Sequence, residues 1–138
     1  MVKRRRSPAD LEREVLHSMS TPGSHWPTEL RLKSAERRLD VTFEDGTQFQ
    51  LPAEYLRVES PSAEVQGHGP SQKQTVPGKA QVAISKIEPV GNYAVRLIFD
   101  DRHDTGIFSW SYLYQLGTEQ EKRWADYRAA LEKAGLSR

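Results

Sequence analysis

From Trp26 onward the apolar positions recur mostly with a period of two, and helical spacing is confined to short stretches and to the end of the chain. Leu30 and Leu32 alternate with polar neighbours, Ser34-Ala35-Glu36 marks a turn, and Leu39, Val41 and Phe43 alternate up to Glu44-Asp45-Gly46. Asp-Gly between two such runs signals a hairpin, because glycine supplies the positive φ of a tight turn. Thr47 to Leu51 returns as a third strand, with Phe49 and Leu51 on the matching face. Pro52 opens a helical turn or slightly more that offers Tyr55, Leu56 and Val58 for burial. After a long polar interval, Gln81 to Ile87 resumes the alternation through Val82 and Ile84, with Pro89 marking the strand end.

The stretch from Glu88 to Tyr114 holds half of the aromatic residues and organises the rest. Gly91-Asn92 is a turn signal, Ala94 to Phe99 is a dense β-forming run, and Asp100-Asp101-Arg102 reverses the chain before a second extended piece. Ser109 is placed to cap a short helix carrying Trp110, Leu113 and Tyr114 on one face. Thr118 and Glu121 have the spacing of a capping box for a final helix, whose Trp124, Tyr127, Ala130 and Leu131 form a core stripe and whose stop is Gly135. The expected architecture is α+β: an antiparallel twisted sheet of five to six strands, a short helix after the central hairpin, and a C-terminal helix packed on one face.

Composition refines this picture. The domain is expected over residues 26–138, preceded by a basic, disordered arm over residues 1–25 that begins with Lys3 to Arg6 and holds one amphipathic helical stretch from Pro8 to Met19. The net charge of +1 divides into +4 for residues 1–38 and −3 for the remainder, so nucleic-acid binding is disfavoured for the body of the domain. With no cysteine, disulfides, thiolate nucleophiles and cysteine-held zinc or iron–sulfur centres are excluded. No run approaches the roughly 18 apolar residues of a membrane span, and the basic cluster is not followed by the apolar stretch of a secretory signal. A soluble, cytoplasmic protein without membrane contact is expected.

Candidate chemistry is sparse. His103 lies between Asp101 and Asp104, where a carboxylate could orient it as a general base, or where it could simply occupy a turn beside two solvated acids. His68 sits in Gly-His-Gly-Pro within the polar interval from Ser60 to Gly78. Were His68 and His103 to meet beside Asp101, Asp104 or Glu64, two histidines and a carboxylate would suit a metal. Ser60 and Ser62 lack the Gly-x-Ser-x-Gly surroundings of a hydrolase nucleophile and read as turn and cap residues around Pro61. Arg57 and Arg96 could hold an anion, although a strand arginine is as readily an outward, salt-paired residue.

Three segments carry a family resemblance: Leu56 to Pro70 (Leu-Arg-Val-Glu-Ser-Pro-Ser-Ala-Glu-Val-Gln-Gly-His-Gly-Pro), Ile87 to Val95, and Phe99 to Leu113 with its His-Asp-Thr-Gly-Ile-Phe-Ser-Trp core. Over about residues 27 to 135 the chain resembles small bacterial proteins related to the N-terminal domain of gamma-butyrobetaine hydroxylase. The resemblance implies a domain that in the hydroxylases precedes an iron and 2-oxoglutarate-dependent oxygenase domain and holds a structural zinc through Leu-Arg-x-x-Cys-Pro-Cys-x-x-Cys and a later histidine. On that pattern the ligand positions fall on Ser60, Ser62, Val65 and His103, so the zinc site is expected to be missing and no cofactor is expected. The chain stops about twenty residues after the central helix, so the oxygenase domain and its iron are expected to be absent. The same domain is similar to a module attached to Mrp-type P-loop proteins carrying iron–sulfur clusters, which implies an accessory role near such machinery.

Together these readings predict a non-catalytic protein-interaction or accessory module, with a homodimer among the allowed assemblies. Its partner surface is expected at Arg57, Ser60, Ser62, His68, Asp101, His103, Asp104 and Trp110. The alternative is a small metal- or ligand-binding protein or enzyme using His68 and His103 with Asp101 or Asp104.

Overall fold

The computed structural model describes residues 25–66 and 73–138. The basic arm, its Pro8 to Met19 stretch and His68 lie outside the described residues. Strands β1 (Pro27–Lys33), β2 (Arg38–Phe43) and β3 (Gln48–Pro52) form an antiparallel meander. Two short helices follow, α1 (Ala53–Val58) and α2 (Ala63–Gln66), and then a second meander of β4 (Ile84–Val90), β5 (Ala94–Phe99) and β6 (Gly106–Ser109). Helices α3 (Trp110–Thr118) and α4 (Gln120–Ala134) complete the order.

The alternation predicts the inward faces well. In β2, Leu39, Val41 and Phe43 are buried while their neighbours are half-exposed. At the β2–β3 turn Gly46 adopts φ +88° and the Thr47 amide donates to Asp45 Oδ1, so the Asp-Gly signal corresponds to a hairpin. Ser109 caps α3 by accepting from the Tyr112 amide at 3.1 Å. The inner faces of both sheets, Tyr55 and Leu56 of α1, and Leu113 and Leu116 of α3 make one core. Helix α4 adds a smaller cluster in which Tyr127 and Leu131 meet Val58, with Trp124 and Val76 packed alongside.

The expected single sheet of five to six strands is instead two three-stranded antiparallel sheets within an α+β fold. Strands β1 and β4 approach one another, yet the ladder does not continue between them. Each of these edge strands carries a register shift, between Pro27 and Glu29 in β1 and between Ile84 and Lys86 in β4, and each contains a proline without an amide hydrogen. Bulges and prolines are the devices that stop edge pairing. The strand also runs through Pro89 to Val90 rather than ending at Pro89, because an edge position needs no outward donor.

The expected capping box is not formed either. Thr118 is the last residue of α3 and its hydroxyl bonds back to the Tyr114 carbonyl at 2.9 Å; Glu119 takes the N-cap position of α4 without a side-chain capping bond. Gly135 closes α4 in the left-handed conformation, φ +70°, as its position predicts.

Candidate functional site

Ser60 leaves the end of α1 and Ser62 immediately precedes α2, whose amides of Val65 and Gln66 bond to the Ser62 carbonyl. The Gln66 side-chain amide holds the Ser60 carbonyl at 2.9 Å, which fixes the loop between the helices. His103 arrives from the β5–β6 turn, where its carbonyl accepts from Phe99 and Arg102 adopts φ +73°. The two segments meet in the interior. Ser60 Oγ lies 2.9 Å from His103 Nε2 and Ser62 Oγ lies 3.4 Å from the same nitrogen. Ser60 is 0% and His103 5% exposed, and Val65 is buried. Gly106, at the start of β6, lies so near that a Cβ there would stand 2.5 Å from Ser60 Oγ.

The four positions at which the resemblance places zinc ligands therefore include three that gather around one imidazole nitrogen, with buried Val65 in the same helical segment. Their chemistry does not suit zinc. Two hydroxyls and one imidazole offer no thiolate, and the valine has no donor atom. Among the described residues no group of three or more His, Asp or Glu side chains could hold a metal ion.

Beside this cluster is an ionic brace. Asp101 accepts from Arg57 Nε at 2.8 Å, from Lys79 Nζ at 2.6 Å and from the His103 amide at 3.0 Å. Burial raises the Asp101 pKa, but the bonds from Lys79, the His103 amide and Arg57 outweigh it and hold the carboxyl at about 2. Asp101 thus orients the backbone of His103, and is committed to two cations. Asp104 is exposed, and its charge acts on Arg96, which pairs with Glu88 across the β4–β5 ladder. Trp110 is at the opposite end of the β5–β6 ladder from His103, where its indole donates to the Asn92 carbonyl at 2.9 Å. The structure therefore brings Arg57, Ser60, Ser62, Asp101 and His103 together, and leaves Trp110 apart.

A second polar cluster escaped the sequence reading. Glu59, 2% exposed, accepts from Lys73 Nζ and from Arg123 Nη1, both at 2.8 Å, and Arg123 also pairs with Glu119. The Tyr112 hydroxyl donates to the Glu59 carbonyl at 2.5 Å. Burial, followed by the Glu59 charge, pushes the Tyr112 phenol up to about 12. A surface cleft of about 350 Å³ opens here between residues 73–75 and α4, with Lys122, Asp126 and Tyr127 on its far wall. The sequence holds no periodic signal for this pairing, since Glu59 and Arg123 are 64 positions apart.

Comparison with known proteins gives the family. No curated protein matches the chain. Two solution NMR structures of proteins are similar at 47% and 48% identity, with TM-scores of 0.73 and 0.74. The first match covers 84% of this chain and 91% of the other, and the second 87% and 89%. A crystal structure of a protein of unknown function from Acidithiobacillus ferrooxidans, assigned to the DUF971 family, is 42% identical over 66% of this chain and 91% of its own, with a TM-score of 0.56. The family model described as gamma-butyrobetaine hydroxylase-like, N-terminal, matches residues 30–114, which run from within β1 through both meanders and the Ser60–His103 cluster into α3. The chain belongs to the gamma-butyrobetaine hydroxylase-like, N-terminal family.

Proposed function

We propose that this protein is a non-catalytic interaction or accessory module. The observation that carries the reading is the state of His103: its Nε2 faces Ser60 and Ser62 inside the protein and its ring is 5% exposed, so its chemistry is spent on holding two loops together. A general base must reach a substrate proton across about 2.6–3.2 Å or through one water, and neither partner of this pair lies on the surface. The cleft beside residues 73–75 supplies a recognition surface, because Lys73, Lys122, Glu119 and Asp126 present both charges around the Glu59–Arg123 pair. Mixed charge of this kind favours orientation and partner discrimination. A place near iron–sulfur protein assembly rests on family resemblance alone, and a chain without cysteine would contribute contacts there, not cluster ligands.

Site-specific photocrosslinking from Thr75 and Lys122 tests the reading, with Arg31 on the first sheet as the reference position. A discrete adduct formed from Thr75 and Lys122 but not from Arg31 is expected. Equal, diffuse labelling from all three positions, together with saturable turnover of any substrate lost in a His103→Ala variant that still folds, would replace the module by an enzyme.

A further inference from the structure

A second cleft, of about 730 Å³, lies where the start of α1 meets the junction of α3 and α4. Its floor is Tyr55, fully buried, whose hydroxyl donates to the Leu116 carbonyl at 2.6 Å. Trp124 forms one wall and meets the Tyr55 ring edge to face at 6.2 Å. Glu54 stands at the base, 7% exposed. The cleft is occupied in part by the protein itself. Arg138 donates from Nε to Glu54 Oε2 at 2.9 Å and from Nη2 to Oε1 at 2.8 Å, with its guanidinium carbon 5.5 Å from the Trp124 ring centre.

These contacts are the three elements of guanidinium recognition: a carboxylate presenting both oxygens in a fork, an aromatic face, and removal of the carboxylate from water. The tail that delivers Arg138 is itself tethered. Gly135 turns the chain out of α4, the Leu136 amide returns to the Leu131 carbonyl, and the Gly78 amide donates to the Ser137 carbonyl at 3.0 Å. Arg138 nonetheless keeps half of its side chain exposed, so the occupant sits at the mouth and is not sealed in. The cleft is larger than one guanidinium needs, and it carries a second carboxylate, Glu121, for a single cation.

From this arrangement we infer that the Glu54–Trp124 cleft is a binding site for an arginine side chain of a partner protein, with Arg138 acting as an internal competitor. The inference rests on the interaction-module reading and names the partner's chemistry at a face separate from the 73–75 cleft. A tethered competitor acts at an effective concentration in the millimolar range for short linkers, so a free arginine must displace Arg138 before it binds. Lysine is a poorer fit, since an ammonium cannot make the two parallel bonds that the Glu54 oxygens accept.

The test follows the Trp124 indole N–H by NMR while the whole protein is titrated with N-acetyl-arginine amide, N-acetyl-lysine amide and N-acetyl-citrulline amide. In Arg138→Ala the arginine derivative is expected to give saturable shifts at Trp124, at least tenfold tighter than in the wild type. The lysine derivative should be weaker and the neutral citrulline derivative silent. Glu121→Gln, at an exposed position, should weaken binding severalfold in the Arg138→Ala background without affecting folding, and Glu54→Gln should abolish it. Equal affinity in wild type and Arg138→Ala would overturn the internal-competitor role. No shift at Trp124 in Arg138→Ala, or equal binding of arginine and citrulline, would overturn the site. Either failure leaves crosslinking from Thr75 unaffected, so the fate of the module reading is judged separately.

Discussion

Gly106 is the position at which the buried cluster is most exposed to test. Its backbone is not in the left-handed region, so an alanine there carries no conformational strain, and the whole cost lies in what the added methyl meets. The new Cβ would stand 2.5 Å from Ser60 Oγ and 3.0 Å from Phe108 Cε1. Ser60 can relieve the first contact by rotating its hydroxyl away, but the rotation abandons the 2.9 Å bond to His103. That bond joins two buried side chains, so its loss costs about 1–2 kcal/mol. The Phe108 ring is fully buried and must shift within a packed core, which adds about 1 kcal/mol. Gly106→Ala is thus expected to destabilise by about 2–3 kcal/mol.

Ser60→Ala alone should cost about 1–2 kcal/mol, through the His103 nitrogen it leaves without its nearer partner. With Ser60 already shortened, the methyl at position 106 meets only its Cβ at an ordinary 3.6 Å, and the remaining contact is Phe108. The double variant should therefore be less destabilised than the two singles together by about 1–2 kcal/mol. Urea denaturation of the four proteins measures this directly, provided the slopes agree. Additivity within about 0.5 kcal/mol would show that Ser60 and Gly106 do not share the space described, and would refute the account.

Three further outcomes follow from the same geometry. Gly117→Ala places a Cβ 2.3 Å from the Phe49 ring, so despite the better helix propensity of alanine the variant should lose about 1–3 kcal/mol in urea denaturation and recover part of it with Phe49→Leu. Glu59→Gln leaves Arg123 and Lys73 without their shared carboxylate; because both retain some solvent contact, a loss of about 1–3 kcal/mol is expected, and phenol titration should show Tyr112 falling from its wild-type value of about 12. The Asp101 carboxyl is held at about 2, below its ordinary 3.8, so its contribution is fully present above the ordinary value and is lost as pH falls toward the folded one. The stability gap between wild type and Asp101→Asn should be about 1–2 kcal/mol at neutral pH and close between about pH 4 and 2, and a gap independent of pH would exclude the proposed charge role.

What the amino-acid pattern reveals and what it hides divide along sequence distance. The hairpins at Asp45-Gly46 and Gly91-Asn92, the Ser109 cap and the Gly135 stop are each determined within a few residues, and all are present. The break between the two sheets is different: β1 and β4 each carry a register shift and a proline, and the two ladders stay apart. The Thr118 capping signal fails because α3 runs on through Gly117, close against Phe49, and leaves a single residue before α4. The same division governs the site. His103 and Asp101 are neighbours whose backbone bond a turn pattern suggests, whereas Ser60 reaches His103 across 43 positions and Glu54 reaches Arg138 across 84. Family resemblance pointed to the first of these long-range meetings through the positions of absent ligands, but nothing pointed to the second. Gly106 shows why spacing alone is insufficient. In Asp-Thr-Gly-Ile it reads as an ordinary glycine entering a strand, and its reason lies in Ser60, whose hydroxyl occupies the space that a side chain at position 106 would take.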